Sequence, residues 1–358
     1  MTRPAQQGLL PDTQIEGLIA EGVIAAHRPI EPAQVQPASL DLRLGTKAYR
    51  VRASFLPGPH PVEDRLKTVS LHELDLTAGA VLETGCVYIV PLLEHVALPG
   101  DLHGRINPKS STGRLDVFAR AITDRGARFD TVEAGYEGPI YLEISPRTFP
   151  ILVRQGSRLA QMRIGAGQVV LDDAATEALH ARAPLVSGVP SVRGGLELSV
   201  DLEMDGPVGY RARRYGGVID VDEKAAQPVD AFWEAVHARD GAIVLDPFEF
   251  YILSSREAIT IPRDHAAEMV PVDPLVGEFR VHYAGFFDPG FGDPDAGGAG
   301  SRAVLEVRSR DVPFVLHHGQ PVCRLVYERM AETPRALYGA GLGSNYQAQT
   351  LKLSKHFR

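Results

Sequence analysis

The sequence predicts a mainly β protein made of two related halves, with a few short helices. Three observations carry this. First, 35 of the 358 residues are Gly and 27 are Pro, so turns are frequent and long helices are not. Second, apolar runs with period-two alternation recur, as in VYIVPLLEHVAL (87–98) and VLEVRSRDVPFVLHHG (304–319). Third, the chain repeats itself. Residues 81–102 align without gaps on 244–265, which places Tyr88, Glu94 and Pro99 on Tyr251, Glu257 and Pro262.

The same spacing puts PIYLEIS (139–145) on RAVLEVR (302–308), so Glu143 falls on Glu306, and puts 152–164 on 315–327. ASLDLRL (38–44) resembles LSVDLEM (198–204), and AYRVR (48–52) resembles GYRAR (209–213), at slightly smaller offsets. Repeats of this length indicate duplicated domains rather than a solenoid. The expected domains are 1–185 and 186–358, joined near the Pro- and Gly-rich stretch 181–195.

Three helices are expected. The first spans 11–24, with Asp12 or Thr13 as cap and apolar residues at helical spacing. The second spans 172–183. The third spans 228–241, stopped by Gly241, and carries the only Trp, Trp233, which is expected in the core.

Composition narrows the function. With 44% hydrophobic and 23% charged residues the chain reads as an ordinary soluble globular protein. Two cysteines, Cys86 and Cys323, support neither a disulfide framework nor a Cys-rich zinc site, which fits a reduced, cytoplasmic setting. The opening MTRPAQQGLLPD has no continuous apolar segment of the secretory kind, and no apolar run approaches a membrane span. The net charge is −8 without a basic block, which disfavours a nucleic-acid polymer but allows a single nucleotide in a local basic pocket.

The stretch INPKSSTGRLDVFAR (106–120) sets Ser110, Ser111 and Arg114 in one turn between apolar runs. A surface turn accounts for these residue types. So does a phosphate cradle, because hydroxyls, backbone N–H groups and a forked guanidinium all suit phosphate oxygens. The second half has DPLVG (273–277) at the equivalent place, so this chemistry survives in one copy only.

After a Gly-rich hairpin in each half comes a strand with one carboxylate among apolar residues, Glu143 and Glu306. A single such Glu reads as solvent-facing; two at equivalent positions point to function. A partly buried carboxyl has a raised pKa and accepts a proton near neutrality. Asp288, in FFDPGFG, is either a plain turn residue or an acceptor for a sugar hydroxyl. His282 reads on its own as a core histidine. The tail LYGAGLGSNYQAQTLKLSKHFR (337–358) is Gly-rich, then polar, then basic, and suits a segment that orders over an anion.

Taken together, SSTGR, a Gly hairpin followed by LE, and a tail with YG…GSNYQAQ resemble dCTP deaminases of the dUTPase-like superfamily. ASLDLRLG (38–45) resembles the family's opening strand, and HYAGFFDPGFG and SNYQAQTLKLSKHF resemble its long tandem bacterial form. The resemblance covers nearly the whole chain. It implies two tandem distorted antiparallel β-barrels of jelly-roll type. It also implies hydrolysis of dCTP to dUTP and ammonia.

The zinc deaminases carry a P-C-x-x-C motif. This chain has no C-x-x-C, so the resemblance implies a zinc-independent reaction with Mg²⁺ accompanying the triphosphate only. By position it implies Ser110 and Arg114 as catalytic, Ser111 as phosphate-binding, and Glu143 and Glu306 as candidates for the catalytic Glu. Asp288 would face the deoxyribose, His282 would lie at the pocket, and Tyr346, Gln347 and Gln349 would close over the phosphates. Lys352 is a charge-based addition. It further implies association of copies, and dTTP as an inhibitor.

The first half departs from the pattern at Glu133, where the family hairpin has Asp. The expectation is therefore a composite site, with SSTGR from the first half serving Asp288 and Glu306 of the second. The competing arrangement is a self-contained first-half site on Glu143. Three other functions remain open at this point: a dUTPase or an enzyme carrying dCTP to dUMP, a nucleotide-binding regulator without turnover, and a nucleic-acid-binding barrel.

Overall fold

A computed structural model describes residues 7–272, 279–281, 285–298, 300–339 and 345–358. In the first half, one sheet centres on Leu102–Pro108, Ala160–Ala166 and Ser39–Leu42. A second sheet runs Val117–Thr123, Glu137–Pro146, Val87–Ala97, Lys47–Val51 and Ser70–Asp75. Alternate residues of both sheets, among them Leu40, Val90, Ile106, Leu142 and Met162, meet in one buried core.

The second half repeats the plan. Leu196–Ser199, Pro321–Arg329 and His265–Pro271 form one sheet, and Trp233–Val236, Gly209–Ala212, Phe250–Ile259 and Ser301–Ser309 run through the other. The duplication extends to register: Glu143 lies opposite Ile89, and Glu306 lies opposite Ile252.

The first expected helix is shorter than its pattern, Asp12–Ala20, because the chain then pairs as Ile24–Ala26 on the strand Val87–Ala97. Asp12 is buried; its carboxylate accepts from the Arg335 and Ala336 amides as well as from Thr13. The helix Asp173–Arg182 is capped by Asp172, whose side chain accepts from the Ala175 amide. Leu179, Leu185 and Val186, around the expected join, already pack in the second core.

The third expected helix is corrected to a single turn, Val229–Phe232, followed by the strand Trp233–Val236. Pairing with Gly209–Ala212 decides it, and Asp240-Gly241 is a hairpin turn rather than a helix stop. Both turn residues have positive φ, 51° and 67°, as a type I′ turn requires. A helix also forms at Val62–Val69, which the sequence reading omitted.

The halves are tightly joined. Ile151–Val153 accepts Ile219–Asp220 as a parallel neighbour, and Arg154 clamps Asp220 with two hydrogen bonds of 2.8 and 2.7 Å. Trp233 is buried as expected, at the seam between halves: Phe149, Phe232 and Phe357 surround it with centroids 5.5–6.4 Å apart. No helix among the described residues is long and apolar enough to cross a membrane.

Candidate active site

A cavity of about 350 Å³ lies between the halves. The first half contributes the turn after the strand Leu102–Pro108, where Ser110–Gly113 coil into one helical turn. Thr112 Oγ1 donates to the Leu159 carbonyl at 2.9 Å and holds the turn against the neighbouring strand. Ser110, Ser111 and Arg114 thereby line the cavity.

Arg114 is buried, and the C-terminal tail folds onto it. Its Nη1 donates to the Lys352 carbonyl at 2.9 Å, its Nη2 to Gln349 Oε1 at 3.0 Å, and its guanidinium stacks 3.9 Å above the Tyr346 ring. Further along, Ser354 Oγ donates to the Ser111 carbonyl at 2.8 Å. The His356 Nε2–H donates to the Val221 carbonyl at 3.0 Å. Burial pulls the His356 pKa down to about 4.

The second half contributes Asp288 and Glu306. Asp288 opens a tight turn in which the Phe291 amide donates to the Asp288 carbonyl at 3.1 Å. Gly292 follows at φ 71°, and a Cβ there would lie 2.0 Å from the Ile259 carbonyl oxygen, so only Gly fits. Glu306 is 4% exposed. Burial pushes its pKa up to about 8; Arg114 opposes that rise and Asp116 adds to it.

The other site candidates lie elsewhere. Glu143 is buried at a separate cavity, paired with Arg120 at 2.5 Å, and its Oε2 has no hydrogen-bond partner among the described residues. Gln347 pins the tail: its Nε2 donates to the Gly290, Ala296 and Tyr338 carbonyls, and its Oε1 accepts from the Gly292 amide. Lys352 turns back to the Asn345 carbonyl at 2.7 Å and lines an adjoining pocket. His282 lies outside the described residues, as do DPLVG (273–277) and 341–344.

Sequence reasoning missed the cations at the far end of the cavity, Lys109, Arg158, Lys224 and Lys355. Lys109 pairs with Asp41, and Arg158 with Glu31 at 2.5 Å. Lys355 is largely buried; burial, with Lys109 and Lys224 nearby, pulls its pKa down to about 8. An arriving polyanion would favour its charged form. The only sequence signal for it was the general basicity of the tail.

Family models match both halves of the chain. The model of the N-terminal domain of 2′-deoxycytidine 5′-triphosphate deaminase matches residues 6–168, and the model of the C-terminal domain matches 172–357. The chain belongs to the dCTP deaminase family.

A crystal structure of the 2′-deoxycytidine 5′-triphosphate deaminase from Agrobacterium tumefaciens is similar to it with a TM-score of 0.89 at 57% identity, covering 94% of this chain and 99% of that one. Shorter relatives match less of it. A "dCTP deaminase, dUMP-forming" from Acidothermus cellulolyticus is 31% identical over 156 residues, 43% of this chain and 78% of the relative. A dCTP deaminase from Natronomonas pharaonis is 31% identical over 158 residues, again 43% and 78%. In this dCTP deaminase-family chain, Glu306 and Arg114 line one cavity from opposite halves.

Proposed function

We propose that this cavity binds dCTP and hydrolyses its C4–amine bond, giving dUTP and ammonia, with Glu306 moving the proton. The observation that carries the reading is Glu306 itself, a buried carboxyl displaced toward neutrality at a cavity shared with Arg114. Ionised Glu306 takes a proton from water as the water oxygen adds to C4. It then returns that proton to the departing amine, the C4–N bond breaks and ammonia leaves, while the remaining hydroxyl proton passes from the C4 oxygen to N3 to give the uracil ring. Ser110 and Arg114 orient the water and offset charge developing on the ring.

Asp288 accepts from the sugar hydroxyl. Ser111, Lys109 and Lys355 hold the triphosphate, and the tail from Tyr346 onward keeps water from the site once substrate is in. This is the composite arrangement, supported by Arg114 and Glu306 meeting from different halves while Glu143 is held by Arg120 in its own barrel.

Magnesium would neutralise triphosphate charge. Asp41, whose buried Oδ1 has no hydrogen-bond partner among the described residues, and Asp222 line the same cavity and would be the carboxylates to hold the ion. On this reading dTTP competes for the same cavity, the enzyme acts in the cytoplasm, copies associate, and the partners are small nucleotides rather than nucleic acid or membrane.

One time course with dCTP and Mg²⁺, resolving ammonia, dUTP, dUMP and pyrophosphate, tests the reading. Ammonia matched by dUTP supports it. The names of several relatives motivate the bifunctional alternative, which dUMP with pyrophosphate would establish. Binding without any product would overturn the enzyme reading.

A further inference from the structure

Arg163 lies in the strand Ala160–Ala166 of the first half and is 1% exposed. Its side chain crosses into the second half. There Nη2 donates to Asp288 Oδ1 at 3.2 Å and to the Phe287 carbonyl at 2.8 Å. Nη1 donates to Glu328 Oε2 at 2.6 Å and to the Ala267 carbonyl at 3.0 Å, and the guanidinium lies 4.0 Å from the centre of the Phe286 ring. The repeat places Val326 where the first half has Arg163, so this cation exists in one copy only. It reaches the paired strands His265–Pro271 and Phe286–Phe287 and the Asp288 carboxylate at the cavity.

We infer that Arg163 is a positioning residue: it holds Asp288 ionised and oriented, so that recognition of the sugar hydroxyl by one half depends on a cation from the other. The inference rests on the dCTP reading of the cavity. The physical argument is the cost of a buried charge. Asp288 is 7% exposed, and burial raises its pKa while Arg163 opposes that rise. Without the guanidinium, a carboxylate in this setting takes up a proton rather than remain an unpaired charge. Protonated Asp288 would lose its acceptor character toward a hydroxyl.

The other groups facing Asp288 do not replace Arg163. Lys109 lowers the Asp288 pKa less than Arg163 does and is itself paired with Asp41, which raises it. Tyr338 is a buried phenol whose pKa is pushed up by burial. Beyond Arg163, Glu328 adds negative charge, and Glu268 is taken by Arg105 at 3.1 Å and Asn107 at 2.9 Å.

The test compares dCTP with 2′,3′-dideoxycytidine triphosphate, which lacks the sugar hydroxyl, in steady-state ammonia release from pH 6 to 9. The wild-type chain is expected to prefer dCTP through KM by roughly tenfold to a hundredfold, the range of a hydrogen bond to a charged group. Arg163→Met is expected to lose that preference at pH 7 and to regain it as rising pH ionises Asp288. Arg163→Lys, which restores a cation, is expected to keep part of it at pH 7.

An Arg163→Met protein that keeps the full preference at pH 7 overturns the inference. So does one that loses kcat equally with both substrates at every pH, the result of a purely structural role. If Arg163→Met fails to fold, Arg163→Lys decides: a folded Lys variant with no preference at any pH also overturns it. Wild type that turns over dCTP without discriminating the dideoxy substrate overturns the inference alone; wild type that releases no ammonia overturns the dCTP reading with it.

Discussion

Replacing Glu306 and Glu143 separately by Gln tests the placement of catalysis most directly. Both positions tolerate an isosteric amide, and only one should matter. A positioned general acid–base group contributes roughly a hundredfold to ten-thousandfold, so Glu306→Gln should lower kcat by about that factor. Glu143→Gln should leave kcat/KM at the wild-type value, because Arg120 holds Glu143 through Nε at 3.1 Å and Nη2 at 2.5 Å.

The pH profile gives an independent reading. The base form of Glu306 is scarce below its displaced pKa of about 8, so wild-type kcat/KM should climb with pH and level off above it. Between pH 6 and 8 the rise should be roughly 50-fold if this one ionisation governs the rate. Residual activity of Glu306→Gln should lack that climb. Coupled measurement of ammonia release serves both. An active Glu306→Gln protein, or a wild-type profile that does not change between pH 6 and 9, would refute the assignment.

The same carboxyl should cost stability. Its folded pKa of about 8 lies above the ordinary 4.5, so ionisation increasingly destabilises the fold as pH rises from 4.5 to about 8. Urea unfolding at pH 9 should therefore show Glu306→Gln more stable by up to about 5 kcal/mol, with the gain vanishing near pH 4. Arg114→Met should release the tail, since Gln349 and the Lys352 carbonyl lose their donor; limited proteolysis should then cleave within 345–358 faster and dCTP turnover should fail. His356 has its folded pKa depressed to about 4, so its contribution is present above pH 6.5 and lost as pH falls toward 4. Tail protection should weaken over that window by up to about 3 kcal/mol, and His356→Gln should remove the pH dependence. EDTA should slow turnover through the triphosphate, with Mg²⁺ restoring it and Zn²⁺ not.

What could be read from the sequence was whatever the duplication writes twice. The equivalence of Glu143 and Glu306 and the contrast between SSTGR and DPLVG both follow from aligning one half on the other. Where a side chain reaches across the seam, no such signal exists. Arg163 is one arginine in an apolar strand, and nothing local says that its guanidinium ends beside Asp288, 125 positions later in the sequence. Lys352 and Lys355 have the same charge and sit three positions apart, yet only Lys355 lines the cavity, because the path of the tail, set by Arg114 and Ser111, decides which of them turns inward. The turn at Asp240-Gly241 was legible and misread: a helical apolar pattern was preferred over a dipeptide that favours hairpins.

The two glutamates show how duplication leaves one residue type in two settings. At the repeat spacing, Arg120 falls on Tyr283 and Arg114 falls on Gly277. Glu143 therefore meets an arginine from the adjacent strand of its own sheet, opposite it in register. The pair gives Glu143 a cation from its own half. Glu306 has no arginine at the aligned sequence position, and the cation that opposes its pKa rise, Arg114, comes from the first half. Burial displaces the Glu306 carboxyl toward neutrality, and Arg114, which opposes that rise, also stacks on Tyr346 and donates to Gln349. The copy without an arginine at the aligned position is the one whose carboxyl shares a cavity with Ser110, Ser111 and Arg114.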